Sequence, residues 1–149
     1  AVLSRLMARA PVRESCGRTV VTAAPSGNRH DIGLQAVCDF FEMDGWQAIQ
    51  LGADVPVGDL VSAVDCFDAD LLALSVTLSS QLPMLRDTIS AVRNSSLERE
   101  VKVLVGGRAF ARRPETAREL GADAYATSPK EALAIAASLF ELPHDPDLY

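Results

Sequence analysis

His30, within the run Asn28-Arg29-His30-Asp31-Ile32-Gly33, is the side chain of this sequence best suited to hold a transition metal. Neutral imidazole is a good ligand for a borderline metal, and its protonation near neutral pH makes ligation reversible. Zinc would call for three or four converging ligands. The other histidine, His144, lies in a Pro/Asp-rich tail, so His30 has no evident co-ligands. Alone, a loop histidine is usually a solvated imidazole, and Asp31 beside it reads equally well as a helix N-cap. Two further runs could bind a ligand, Ser75-Val76-Thr77 and Gly106-Gly107. Singly these too are bland, because Ser or Thr after a strand caps helices and Gly-Gly marks turns.

The elements that must position these residues are read from hydropathy. Strands are expected at Arg18 to Ala23, Trp46 to Leu51, Leu71 to Val76, Val101 to Val105 and Ala124 to Ala126. Helical patterns start near Asp31, at Pro56 to Asp59, at Ser80 and at Pro114, and a last one runs from a Ser128-Pro129-Lys130-Glu131 capping box to about Phe140. Five strand–helix units imply an α/β, flavodoxin-like, doubly wound parallel sheet of order 2-1-3-4-5. Ligands of such sheets bind at the carboxyl ends of the strands, near the switch point between strands 1 and 3. All three runs fall on that edge. The organisation expected is an N-terminal helix and linker over 1–17 (helix Val2 to Ala10), the end of an upstream domain, then the binding domain over 18–141 and a tail over 142–149.

Gly33 and Ser75 are separated by residues 34–74, 41 in all, and Thr77 and Gly106 by residues 78–105, 28 in all. This arrangement resembles the cobalamin-binding domain family of methionine synthase, mutases and light-responsive regulators. Its pattern is D-x-H-x-x-G, about 41 residues, S-x-L, about 26 to 28 residues, then G-G. The likeness covers roughly Arg18 to Leu139. It implies that His30 replaces the dimethylbenzimidazole base below cobalt while the displaced nucleotide tail threads into the sheet. Ser75 would then hydrogen-bond the buried base, and Gly33, Gly106 and Gly107 would leave room for the tail. Asn28 stands where the family has the Asp that accepts the ligand's second N–H, so His30 is expected to be a less basic, weaker ligand. Thr77 replaces the family Leu. Gly52 to Pro56 resembles the loop under the corrin edge, with Asp54 or Val55 touching it, and Phe110 is either a lid on the tail pocket or a core residue. The cofactor so implied is an adenosyl-, methyl- or hydroxocobalamin, with Arg29, Asp31 and Ile32 also near it.

Competing chemistries lack their residues. A phosphoreceiver needs an Asp ending strand 3, where Ser75-Val76-Thr77 stands, and a Rossmann site needs G-x-G-x-x-G after strand 1. Haem on a lone proximal histidine is the alternative cofactor. In style, Pro25-Ser26-Gly27 and Leu51 to Pro56 resemble stand-alone or regulator-attached members, which favours a sensory, light-responsive module over the runner-up, a corrinoid methyl carrier for a methyltransferase. No catalytic group is evident in either case. Another domain or protein should cover the upper cobalt face, and a homo-oligomer is allowed.

With a net charge of −6 and only a small cluster at Arg108, Arg112 and Arg113, direct nucleic-acid binding is disfavoured. No apolar run reaches the roughly 20 residues of a membrane span. Cys16, Cys38 and Cys66 are widely spaced, and Cys38 and Cys66 read as buried reduced thiols, which suits the cytoplasm.

Overall fold

Leu71–Ser75 forms the central strand β3, and Leu71 to Leu74 are at most 5% exposed because both faces of the sheet are covered. Around it lie β1 (Thr19–Pro25), β2 (Gln47–Val55), β4 (Lys102–Gly106) and β5 (Ala124–Ala126). All neighbouring pairs are parallel, and the order is β2-β1-β3-β4-β5, as the sequence implied. This computed structural model describes residues 14–27, 32–95 and 100–147. The expected helix Val2 to Ala10 and the loop residues Asn28 to Asp31 lie outside them.

Helices α1 (Ile32–Met43) and α5 (Pro129–Leu139) cover one face. On that side Trp46 meets Phe41 and Phe140 edge-on, at centroid distances of 5.1 and 5.5 Å. The other face carries α2 (Val57–Cys66), α3 (Leu82–Ser95) and α4 (Thr116–Glu119), with Leu60, Leu85, Ile89 and Phe110 in its core.

Several local features depart from the sequence reading. The helix expected from Ser80 is split into a 3-10 turn, Ser79–Gln81, followed by α3, which leaves Pro83 in the first α-helical turn where its missing N–H costs nothing. Cys66 is exposed, not buried. It lies two residues beyond Val64, about 200° around α2 from that inward-facing residue. Cys38 is buried as expected, and burial first, then the carboxylates of Glu42 and Asp39, push its thiol up to about 11. At the start of α5 Ser128 Oγ accepts from Glu131 N at 3.1 Å, but the Glu131 carboxylate reaches Thr127, accepting from its N–H and its hydroxyl, rather than the N-cap N–H.

The amino edge of the sheet is fastened by carboxylates. Asp70 is 5% exposed; its Oδ2 accepts from Thr19 N at 2.9 Å and its Oδ1 from Arg18 at 3.1 Å, while the Arg18 guanidinium lies over Phe140. Asp123 likewise accepts from Val103 N at 2.8 Å and from Arg93 at 2.9 Å. Removing the Asp70 carboxylate strands a buried N–H. Asp70→Ala is therefore expected to lower unfolding free energy by about 2 kcal/mol in a urea titration, less than a fully buried pair because Arg18 is partly exposed. In the middle of β1 the Thr22 hydroxyl is wholly buried and faces the Cys38 thiol, without a hydrogen-bond partner of ordinary geometry among the described residues. Thr22→Val keeps the shape and removes that hydroxyl, so its midpoint should match or exceed the parent's.

Candidate cofactor-binding site

A cavity of about 200 Å³ opens at the carboxyl edge, on the face covered by α1 and α5. Strand residues of alternate parity form its floor. Ala73 and Ser75 of β3 lie beside Leu104 and Gly106 of β4, with Ala126 of β5 beyond. Leu34 and Val37 of α1 form one wall and the start of α5 the other. This is smaller than the ~300–1,000 Å³ of a drug-sized ligand's pocket, so it suits a bicyclic base rather than a macrocycle. Its lining is largely apolar, which suits an aromatic ring, and Ser75 is the hydroxyl that β3 supplies to it.

Four predicted residues thus come together: Gly33, Ser75, Gly106 and Gly107 all line this space. The glycines do so for different reasons. A Cβ on Gly107, whose φ is 110°, would run into the Val76 carbonyl oxygen, and one on Gly106 would stand 2.9 Å from the Ala126 oxygen. Both are demanded by the chain's own close packing, where the sequence reading invoked only room for a ligand. Gly33 is the reverse case, because a Cβ there would meet nothing within 4 Å and would project into the open. Gly33 is therefore the glycine whose smallness serves the cavity.

The remaining predicted residues are placed elsewhere or lie beyond description. Asn28, Arg29, His30 and Asp31 are outside the described residues, and Ile32 opens α1. Thr77 is half-buried just past β3 and is not among the residues lining the cavity. Phe110 is fully buried in the opposite core, its ring 5.5 Å from that of Tyr125, so of its two readings the core one matches its place. Val55 is buried in that same core. The expected loop from Gly52 is instead the continuation of β2, which takes up two extra residues against β1 by register shifts, with Gly52 at φ 91° and Asp54 at φ 55°. These bulges carry the Asp54 carboxylate to Gly27, whose N–H donates to it at 2.7 Å. Gln81 donates to the Gly27 oxygen at 2.6 Å from the other side.

Sequence reasoning missed the β5 side of the cavity: Ala126, Thr127, Ser128, Pro129 and Ala132. The Ser128-Pro129 cap was legible, and five parallel strands put it on the same edge as the others. The small residues Ala126 and Ala132 were the further signal, since each leaves space beside the sheet.

The sequence model of the B12 binding domain matches residues 18–134, which hold the whole sheet, the cavity and the start of α5. The chain belongs to that family. Among curated relatives, Dimethylamine corrinoid protein 1 of Methanosarcina acetivorans is 33% identical over 123 residues, covering 80% of this chain and 55% of its own length. The chain thus spans about half the length of the curated relatives it matches. A cobalamin-binding protein from Desulfitobacterium hafniense DCB-2 superposes with a TM-score of 0.74 at 28% identity, over 81% of this chain and 58% of that one. The Methanosarcina barkeri monomethylamine corrinoid protein shares the fold, with a TM-score of 0.80 at 24% identity over 93% of this chain and 64% of its own. Family membership makes this a cobalamin-binding domain. No helix among the described residues is long and apolar enough to cross a membrane.

The two kinds of glycine separate in experiment. Gly33→Leu should leave the apoprotein as stable as the parent, since a helical glycine is given up, yet abolish cobalamin uptake followed by absorbance. Gly107→Ala should instead destabilise the apoprotein by about 2 kcal/mol or more, through the forced φ and the contact with Val76.

Proposed function

We propose that this chain is the corrinoid-carrying domain of a methyl-transfer system, with His30 as the lower ligand of cobalt. The observation that carries the reading is the cavity lined by Gly33, three residues after His30 in the sequence, which opens where β3, β4 and β5 end. A cofactor with a nucleotide tail would seat its base in that space. Haem has no such tail, so the cavity favours cobalamin over it. Cobalamin, when bound, supplies a cobalt centre that can accept and release a methyl group.

The chain's own residues would hold and tune that centre. Ala73, Leu104, Leu34 and Val37 would exclude water from the base, and Ser75 would offer it a hydroxyl from the floor. His30 would supply an imidazole nitrogen, and the Asn28 amide oxygen would accept its second N–H without adding charge. A neutral acceptor leaves the imidazole less basic, so ligand release costs less than it would with a carboxylate behind it.

Between carrier and sensor, the relatives weigh on the carrier side. Dimethylamine, in the names of several curated relatives, is a small methyl donor, and a domain that shuttles methyl groups needs a partner rather than a catalytic group of its own. That partner would be a methyltransferase meeting the cobalt face away from His30. Such a role reverses the order of preference drawn from loop style, because style in a few loop residues says nothing about what covers the metal.

Protein loaded with cob(II)alamin and grown with ¹⁵N-histidine tests the ligand. Electron paramagnetic resonance should show the nitrogen splitting change from three lines to two on labelling, and His30→Ala should lose the labelled pattern. A splitting that ignores the label would sink His30 as ligand. For the carrier, reduced loaded protein given a methylamine-specific methyltransferase and ¹⁴C-methylamine should take up label that unloaded protein does not.

A further inference from the structure

The cavity at the carboxyl edge is graded along its depth. Ser75, the last residue of β3, stands near the mouth, and Ala73 lies two residues, about 7 Å, further in. Gly106 pairs with Ser75 and Leu104 with Ala73, so β4 repeats the same step. Val37 of α1 and Ala132 of α5, each about a turn into its helix, close the inner end.

Polar groups are confined to the mouth. Ser75 Oγ has no hydrogen-bond partner among the described residues, so its hydroxyl is open to a ligand. The other two hydroxyls of the lining, on Thr127 and Ser128, are exposed and already engaged with Glu131. Thr127 donates to its carboxylate at 3.0 Å, and Ser128 Oγ accepts from its N–H at 3.1 Å. At the inner end Ala73, Leu104, Val37 and Ala132 bring only carbon, and the peptide groups of β3 and β4 pair with neighbouring strands.

A nucleotide base can enter such a space in one sense only. Its sugar is attached to the five-membered ring, and the arm leading back to the corrin must leave through the mouth. The six-membered ring therefore goes in first. In a benzimidazole that ring is all carbon, and the base's one free nitrogen stays in the five-membered ring, on the side where Ser75 stands. In a purine the six-membered ring carries two nitrogens, and adenine adds an amine. The two frames are nearly equal in size, so volume does not separate them. Polarity does, since each nitrogen buried without a partner weakens binding about tenfold.

We propose that this cavity selects corrinoids by their lower base, admitting a benzimidazole and rejecting a purine. Ala73, Leu104, Val37 and Ala132 are its specificity-determining residues. The proposal rests on the reading that the cofactor's nucleotide base occupies the cavity.

Three nucleosides test it without any cobalt. Benzimidazole riboside, purine riboside and adenosine share a sugar and a bicyclic frame, and differ in the polar atoms of the base. Titrating each into full-length apoprotein with ¹³C-labelled alanine methyls gives its dissociation constant by nuclear magnetic resonance. Benzimidazole riboside should bind about tenfold or more tightly than purine riboside, and adenosine no better than purine riboside. Ala73→Ser puts a hydroxyl at the inner end from the sheet, and Ala132→Ser does so from α5. Each should narrow the gap between the first two nucleosides about threefold or more. Equal binding of the three by the parent, a reversed order, or a gap that neither serine variant changes would overturn the selection while leaving the cavity as a seat for the base. Gly33→Leu should abolish binding of all three. Nucleosides that bind this variant as well as the parent would instead remove the base from the cavity, and the selection with it.

Discussion

The approach of Gly107 to the Val76 carbonyl is the constraint on which the binding edge depends. Ala109 N donates to that same oxygen at 3.1 Å, and Val76 N donates to Gly106 O at 2.9 Å, so the ends of β3 and β4 are locked together beyond the last regular ladder pair. With those ends fixed, Ser75 and Gly106 stand side by side as floor, and the chain after Gly107 turns down into a 3-10 helix that buries Phe110 in the opposite core. A larger residue at 107 would push the two strands apart and close or deform the cavity. Glycine there is a condition of the fold before it is a condition of binding.

The fold was almost wholly legible in the sequence because a doubly wound sheet writes its strands as short apolar runs separated by helix-length patterns. Leu71 to Leu74 could be little else than a strand covered on both sides, and Ala124 to Ala126 was read correctly from its position between Gly121 and the Ser128-Pro129 cap. What escaped were features decided by geometry across the chain. Nothing in Gly52-Ala53-Asp54 announces that β2 continues through two bulges, because a bulge depends on the partner strand. Cys66 looked apolar enough to bury, yet its angle around α2 was set against it.

The site was legible in kind more than in detail. Gly33, Ser75, Gly106 and Gly107 converge because residues at the carboxyl ends of parallel strands must share an edge. The wall from β5 and α5 was missed because its signal is indirect: Ala126 and Ala132 act only by the space they leave beside the sheet. Phe110 and Val55 were ambiguous for the opposite reason, since a large apolar side chain near a turn fits a core and a ligand equally well, and only the direction of its backbone decides.

The carboxylates Asp70 and Asp123 fasten the amino ends of β1, β3 and β4, at the far side of the sheet from the cavity. Cohesion and ligand recognition are thereby assigned to opposite poles of one short sheet. A lineage built on this plan can exchange loops at the recognition pole, and so change what it recognises there, while the opposite pole keeps the strands in register.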